Sequence, residues 1–154
     1  MVSEMEEGMI RLATALDNQD MIGYTRSFVS DLKLGREVVN RDLLPWLNEI
    51  DKGWTGVLCL GMGGSAAGGD FLSVLCDERG AVPVRCHRGY DLPNWWTPDW
   101  LIMATSYSGN TEETLAALED GLKKKAQIIG ITTGGELKVK LKALDKDVVL
   151  IPPG

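Results

Sequence analysis

Apolar positions along this chain change period several times, and each change marks an element. Up to about Asn40, Met21, Tyr24, Phe28, Val29 and Leu32 recur at helical spacing, which predicts an amphipathic N-terminal helix packing on whatever sheet follows. Val57-Leu58-Cys59-Leu60 is then continuously apolar, as a strand covered on both faces should be. Residues 66 to 76 read as helix. Val82 to Cys86 is a short run containing a proline, which predicts an edge strand or a strand start. Trp100 to Ala104 predicts a third strand, Gln127 to Ile131 a fourth and Val148 to Ile151 a fifth, with helices from about Asn110 to Leu122 and from about Glu136 to Leu144. Asn110 and Glu113 have the spacing of a capping box at the first of these helices.

Strand and helix alternate from about residue 57 onward. That alternation predicts an α/β domain in three layers, a five-stranded mostly parallel sheet between helices, with ligands bound beyond the carboxyl ends of the strands. Residues 1–50 are expected to form a helical extension and residues 51–154 a single domain. No internal repeat or low-complexity tract interrupts the pattern.

Two small-residue turns occupy that carboxyl edge. Gly61-Met62-Gly63-Gly64-Ser65-Ala66 follows the first strand, and Ser106-Tyr107-Ser108-Gly109-Asn110-Thr111 follows the third. The first amides of a helix have no intrahelical acceptor and carry partial positive charge, so each turn can hold an anion. In the second turn Gly109 relieves the backbone, and the free amides from Asn110 onward can join the hydroxyls of Ser106, Ser108 and Thr111 around a phosphate without any cation. Taken singly, each of these residues is more often a helix cap than a ligand; three hydroxyls in one turn shift that balance toward a ligand. Neither a spaced dinucleotide fingerprint nor a GxxxxGK[ST] loop is present, so nucleoside triphosphate binding is excluded at the level of motif. Glu112 and Glu113 in a first helical turn are the ordinary response to the helix dipole.

Charge and composition narrow the partners. The chain has 154 residues, 44% hydrophobic and 25% charged, with a net charge of -6. An acidic balance disfavours nucleic acid and anionic membranes, and the one basic run, Lys123-Lys124-Lys125, is expected at a helix C-terminus, where cations complement the dipole. The acidic start, Met1 to Glu7, lacks the apolar core of a secretion signal, and no run reaches the roughly 20 residues of a membrane span, so a cytoplasmic protein is expected. Cys59, Cys76 and Cys86 are an odd number without CxxC spacing and are expected as reduced thiols. His87, the single histidine, adjoins Cys86, but neighbouring strand residues point to opposite faces, so no metal site is expected. Trp95, Trp96 and Trp100 cluster between the second and third strands, where core or loop packing is the commoner fate and an interface the rarer one.

Taken together, Gly63-Gly64-Ser65, then Ser106-Tyr107-Ser108-Gly109-Asn110-Thr111-Glu112-Glu113-Thr114, then Ile131-Thr132-Thr133-Gly134-Gly135 resemble the sugar isomerase (SIS) domain. More narrowly they resemble the N-terminal half of archaeal-type bifunctional phosphoglucose/phosphomannose isomerases, over about Val57 to Pro152. The resemblance implies a flavodoxin-like or Rossmann-like SIS fold. It implies that Gly63, Gly64 and Ser65 contact the sugar and that Ser106, Ser108, Gly109, Asn110 and Thr111 hold its phosphate. It further implies aldose-ketose isomerisation between fructose 6-phosphate and glucose or mannose 6-phosphate through a cis-enediolate, without metal or other cofactor, and a homodimer formed through SIS domains. The family's catalytic Glu, His and Lys match no residue here and are expected beyond Gly154, so the chain alone is expected to be inactive. A stand-alone regulatory phosphosugar-binding module is the alternative. A complete single-domain isomerase sharing its site across a dimer is disfavoured, since the loops hold no histidine.

Overall fold

The computed structural model describes residues 4–42, 45, 53–80 and 82–152. Met1 to Ser3 of the acidic start and the closing Pro153-Gly154 lie outside them. The chain divides into two compact units, Met1–Glu37 and Val38–Gly154. The described residues of the first unit carry helix α1 (Glu4–Leu16) and most of α2 (Met21–Asp42). Asp17 organises the turn between them, accepting from the amides of Met21 at 2.6 Å and Ile22 at 2.8 Å, which satisfies two orphan donors of α2. The helix over Met21 to Leu32 forms, but its apolar stripe is not buried: Met21, Tyr24, Phe28, Val29 and Leu32 are each more than half exposed. Periodicity identifies a helix face without identifying what covers it.

The second unit runs β1 (Gly56–Leu60), α3 (Gly64–Arg79), β2 (Val84–His87), β3 (Trp100–Thr105), α4 (Glu112–Lys123), β4 (Ile128–Thr132), α5 (Gly135–Ala143) and β5 (Asp147–Leu150). Its five strands form one sheet in the order β2-β1-β3-β4-β5, and every pairing is parallel. The edge position expected for the proline-containing segment is realised by β2, whose preceding Pro83 offers only its carbonyl, to the Val57 amide at 2.9 Å. Each expected strand and helix is present, with ends moved by at most a few residues.

Alternation along the strands sorts the core into two faces. Leu58 and Leu60 of β1, Ile102 and Ala104 of β3 and Ile128 of β4 meet Ala117 and Leu118 of α4 and Leu137 and Leu141 of α5. Val57 and Cys59 of β1, Val84 of β2, Leu101 of β3, Ile129 of β4 and Val149 of β5 form the opposite face, with Leu72 and Cys76 of α3 against it. The helix after β1 and the helix after β3 therefore leave the sheet on opposite sides. Since β1 and β3 are neighbours, a crevice opens between the loops that follow them, the topological switch point of an open parallel sheet.

The tryptophans take three environments. Trp96 is buried in the first cluster, Lys124 sits over its ring at 5.9 Å, and the more exposed Trp95 leans on Trp100 at 5.1 Å between centroids. Lys123 lies in the last turn of α4 and Lys124 pairs with Asp120 at 2.9 Å, so the basic run serves a helix terminus.

Candidate functional site

The crevice is floored by glycine. At Gly61 a Cβ would lie 3.1 Å from the Thr105 carbonyl oxygen, so the ends of β1 and β3 approach as closely as backbone allows. Gly63 then adopts φ 52° as N-cap of α3, with no side-chain cap bond. No side chain caps the first turn of α3; its Ser65 and Ala66 amides donate to the Met62 and Gly63 carbonyl oxygens at 3.0 and 3.1 Å. Beyond lies a cavity of about 520 Å³ lined by Met62, Gly64, Ser65, Thr105, Tyr107 and Ile151, with Gly68 opening one side.

The loop after β3 is held by its own hydroxyls. Ser106, 1% exposed, accepts from the Gly109 amide at 3.1 Å, and its Oγ lies 2.8 Å from Thr111 Oγ1. Ser108 Oγ accepts from the Asn110 amide at 3.2 Å. Gly109 has φ 71°, and a Cβ there would fall 1.9 Å from the Gly134 carbonyl oxygen, so two constraints demand glycine. Thr111 is the N-cap of α4 in extended conformation, yet its hydroxyl turns to Ser106 and makes no cap bond. First-turn amides of α4 are left without a side-chain acceptor, above Glu112 and Glu113.

The capping box expected of Asn110 and Glu113 is not formed. Asn110 Oδ1 instead accepts from the Glu136 amide at 3.0 Å, capping α5 from a distant loop. Extended backbone at Thr111 moves the helix boundary one residue on and frees the carboxamide for this partner. The loop after β4 buttresses the site in other ways that sequence reasoning missed. Thr133 donates to the Tyr107 carbonyl oxygen through its amide at 3.2 Å and its hydroxyl at 2.7 Å, and the Leu137 amide reaches the Gly109 carbonyl oxygen at 2.9 Å. The available signal was Thr132-Thr133-Gly134-Gly135 after an apolar strand, the same strand-to-helix turn repeated a third time.

Ser65 and Tyr107 join the two principal loops: the Tyr107 amide donates to Ser65 Oγ at 3.3 Å. The structure thus brings Ser65 to the Ser106–Thr111 turn, with Gly63 and Gly64 on the same loop as Ser65. Ser106 Oγ and Thr111 Oγ1 answer each other, Ser108 is exposed, and the Asn110 carboxamide is committed to α5. The arrangement offers neutral donors to an anion and a walled space beside it.

Apart from the Tyr107 hydroxyl, no group with acid-base chemistry lines this cavity among the described residues; Glu112 and Glu113 stand in the first turn of α4. His87 Nε2 lies 2.6 Å from the Asp91 carbonyl oxygen, in its own local turn, while the adjacent Cys86 Sγ donates to the Ala66 carbonyl oxygen at 3.4 Å on the α3 side. Asp70 pairs with Arg88, whose hydrogen bond holds its carboxyl below the usual carboxylate range. Burial pushes the Cys59 thiol up to about 12, with Cys86 adding to the shift. Among the described residues no cluster of three or more His, Cys, Asp or Glu could hold a metal ion.

No family model matches the chain. It is 46% identical over 106 residues to the bifunctional phosphoglucose/phosphomannose isomerase of Caldicellulosiruptor bescii, a match covering 69% of this chain and 30% of that protein. The protein of the same name in Thermoplasma volcanium is 39% identical over 98 residues, covering 64% and 30%. Thus the chain spans about 30% of the length of these relatives. Solved structures share its fold. A ligand-bound protein of E. coli CFT073 aligns with TM-score 0.63 at 23% identity, over 90% of this chain and 77% of that one. The Vibrio vulnificus NanR protein complexed with ManNAc-6P gives 0.62 at 18%, over 93% and 55%. Tagatose-6-phosphate ketose/aldose isomerase from Escherichia coli gives 0.55 at 23%, over 84% and 37%. With the parallel sheet, the two loops and these matches in agreement, the chain has the sugar isomerase (SIS) domain fold and is related in sequence to a part, about 30%, of the bifunctional phosphoglucose/phosphomannose isomerases.

Proposed function

We propose that this chain is the sugar-phosphate-binding SIS domain of a glucose-6-phosphate/mannose-6-phosphate isomerase, which binds substrate and relies on residues outside the chain for proton transfer. In this reading residues 51–154 are that domain, residues 1–50 are its helical extension, and both belong to the N-terminal half of the enzyme. The phosphate of a hexose 6-phosphate lies against Ser106, Ser108, Gly109, Asn110 and Thr111 and the α4 amides. Its sugar extends toward Gly63, Gly64 and Ser65. The observation that carries the proposal is the make-up of the crevice: neutral donors and an adjoining cavity, with no carboxylate, imidazole or ammonium among the described lining residues. Moving a proton between C1 and C2 through an enediolate needs a base at carbon and a group to stabilise the developing negative charge, and this lining supplies neither.

A second copy of the chain is the protein partner in this reading. Ala67, Phe71, Val74 and Leu75 form an exposed apolar strip along α3, with Phe71 74% exposed, and such a strip supports pairing of SIS domains. No described helix is long and apolar enough to cross a membrane. The enzyme, in this reading, works in the cytoplasm. The deciding experiment follows fructose 6-phosphate binding by calorimetry and its conversion to glucose and mannose 6-phosphates by coupled assay. Binding without conversion by the 154 residues, and conversion by a longer polypeptide carrying the downstream sequence, is expected. Rapid turnover by this chain alone would overturn the division of labour. Binding with no turnover at any length would favour a regulatory module.

A further inference from the structure

We infer that Tyr107 is the specificity-determining wall of the crevice, its ring packing against the carbon chain of the bound sugar so that affinity is set by the sugar as well as by the phosphate. The inference rests on the sugar-phosphate reading above and deepens it.

Tyr107 lies at the junction of the two grips. In sequence it stands between Ser106 and Ser108, the hydroxyls of the phosphate turn. In space its amide meets Ser65 Oγ, and its carbonyl oxygen accepts both bonds from Thr133. The peptide is therefore tied to the loops after β1 and β4 at once, and the root of the side chain is fixed. The ring itself is not buried: Tyr107 is 51% exposed and, among the described residues, is the one aromatic lining the 520 Å³ cavity. Gly68 lines the same space without a side chain, and a Cβ there would meet nothing within 4 Å. The cavity lining includes none of Ser106, Ser108 and Thr111 and has few polar side chains, Ser65 and Thr105 beside the Tyr107 hydroxyl. An aromatic ring on a rigid root beside an apolar-walled space suits the C–H face of a sugar, whose removal from water is favourable and whose position is already paid for by the fixed backbone. Inorganic phosphate held by the turn would not reach the ring.

Calorimetric titration of the full chain with inorganic phosphate, glycerol 3-phosphate and fructose 6-phosphate tests this, using wild type, Tyr107→Phe and Tyr107→Ala. Y107A is expected to weaken fructose 6-phosphate about tenfold while inorganic phosphate stays within about twofold, and Y107F is expected to bind both as wild type does. Should Y107A lose the native thermal transition, Tyr107→Leu carries the same comparison. An equal loss for all three ligands would make Tyr107 a structural residue and overturn the inference. So would an unchanged fructose 6-phosphate affinity in Y107A, or a loss in Y107F as large as in Y107A. Wild-type protein that binds none of the three ligands would instead overturn the sugar-phosphate reading itself.

Discussion

Ser106 Oγ and Thr111 Oγ1 lie 2.8 Å apart at the end of β3, and the first of them is almost wholly buried. The same Ser106 oxygen accepts the Gly109 amide, so one hydroxyl fixes the turn from both ends. Ser106→Ala leaves the Thr111 hydroxyl without its partner and the buried Gly109 amide with only its backbone acceptor, the Ser106 carbonyl oxygen at 3.2 Å, and is expected to destabilise the chain by about 1–2 kcal/mol. Ser108→Ala removes an exposed hydroxyl and is expected to cost well under about 1 kcal/mol. Urea unfolding separates the two, and calorimetry with inorganic phosphate should show both variants binding more weakly than wild type. An S108A protein that binds normally would remove Ser108 from the phosphate site.

Gly109 and Gly63 both have positive φ, but only the first is hemmed in. Gly109→Ala would drive a methyl group into the Gly134 carbonyl and is expected to cost about 3 kcal/mol or more, enough to loosen the whole loop. Gly63→Ala meets open space, but φ 52° with ψ -128° lies outside the left-handed helical well in a region that side chains avoid, so it carries a backbone penalty alone, about 1–3 kcal/mol. Thermal denaturation of the pair reads the difference directly; equal losses would contradict the described docking of the two loops.

The raised Cys59 thiol makes stability pH-dependent on the alkaline side. Below the ordinary thiol value, 9.0, the group is protonated in folded and unfolded chains alike, and its contribution is fully present. As pH rises from there toward about 12 the unfolded chain releases a proton that the folded one retains, and that contribution is lost. Denaturation midpoints are therefore expected to fall above pH 9, less steeply in Cys59→Ala than in wild type. Parallel slopes in the two proteins would show that groups other than Cys59 account for the decline.

The unit Val38–Gly154 holds both apolar clusters, and every residue placed in the candidate site lies within it. A polypeptide starting at Val38 is expected to unfold in one cooperative transition and to bind inorganic phosphate within about twofold of the full chain. Loss of either property would show that the N-terminal helices take part in the folded domain.

Elements whose cause is local were legible in the sequence. Val57 to Leu60 announced a strand covered on both sides, and the glycine and serine turns announced helix starts at the carboxyl edge; both stand where they were expected. What escaped depended on partners remote in sequence. Asn110 looked like the cap of its own helix because Glu113 stood three residues on, whereas its true partner, the Glu136 amide, is reached only once α4 and α5 lie side by side. Thr133 gave no sign that it would hold the Tyr107 carbonyl. Tyr24 and Phe28 defined a helix face correctly, and nothing in their spacing said that it would stay exposed.

The crevice depends on the parallel pairing of β1 and β3, from Gly56 opposite Trp100 to Leu60 opposite Ala104. Those strands are separated by all of α3, β2 and the tryptophan segment, so their union closes a long loop before it gains any contact, and such closures are slow steps in folding. A chain in which every helix had formed but this pairing had not would possess both turns and no crevice. On the proposed reading, binding of a phosphosugar would report on completion of the sheet's centre. A ligand above its dissociation constant acts on the final fold alone, raising the unfolding temperature without guiding the earlier assembly.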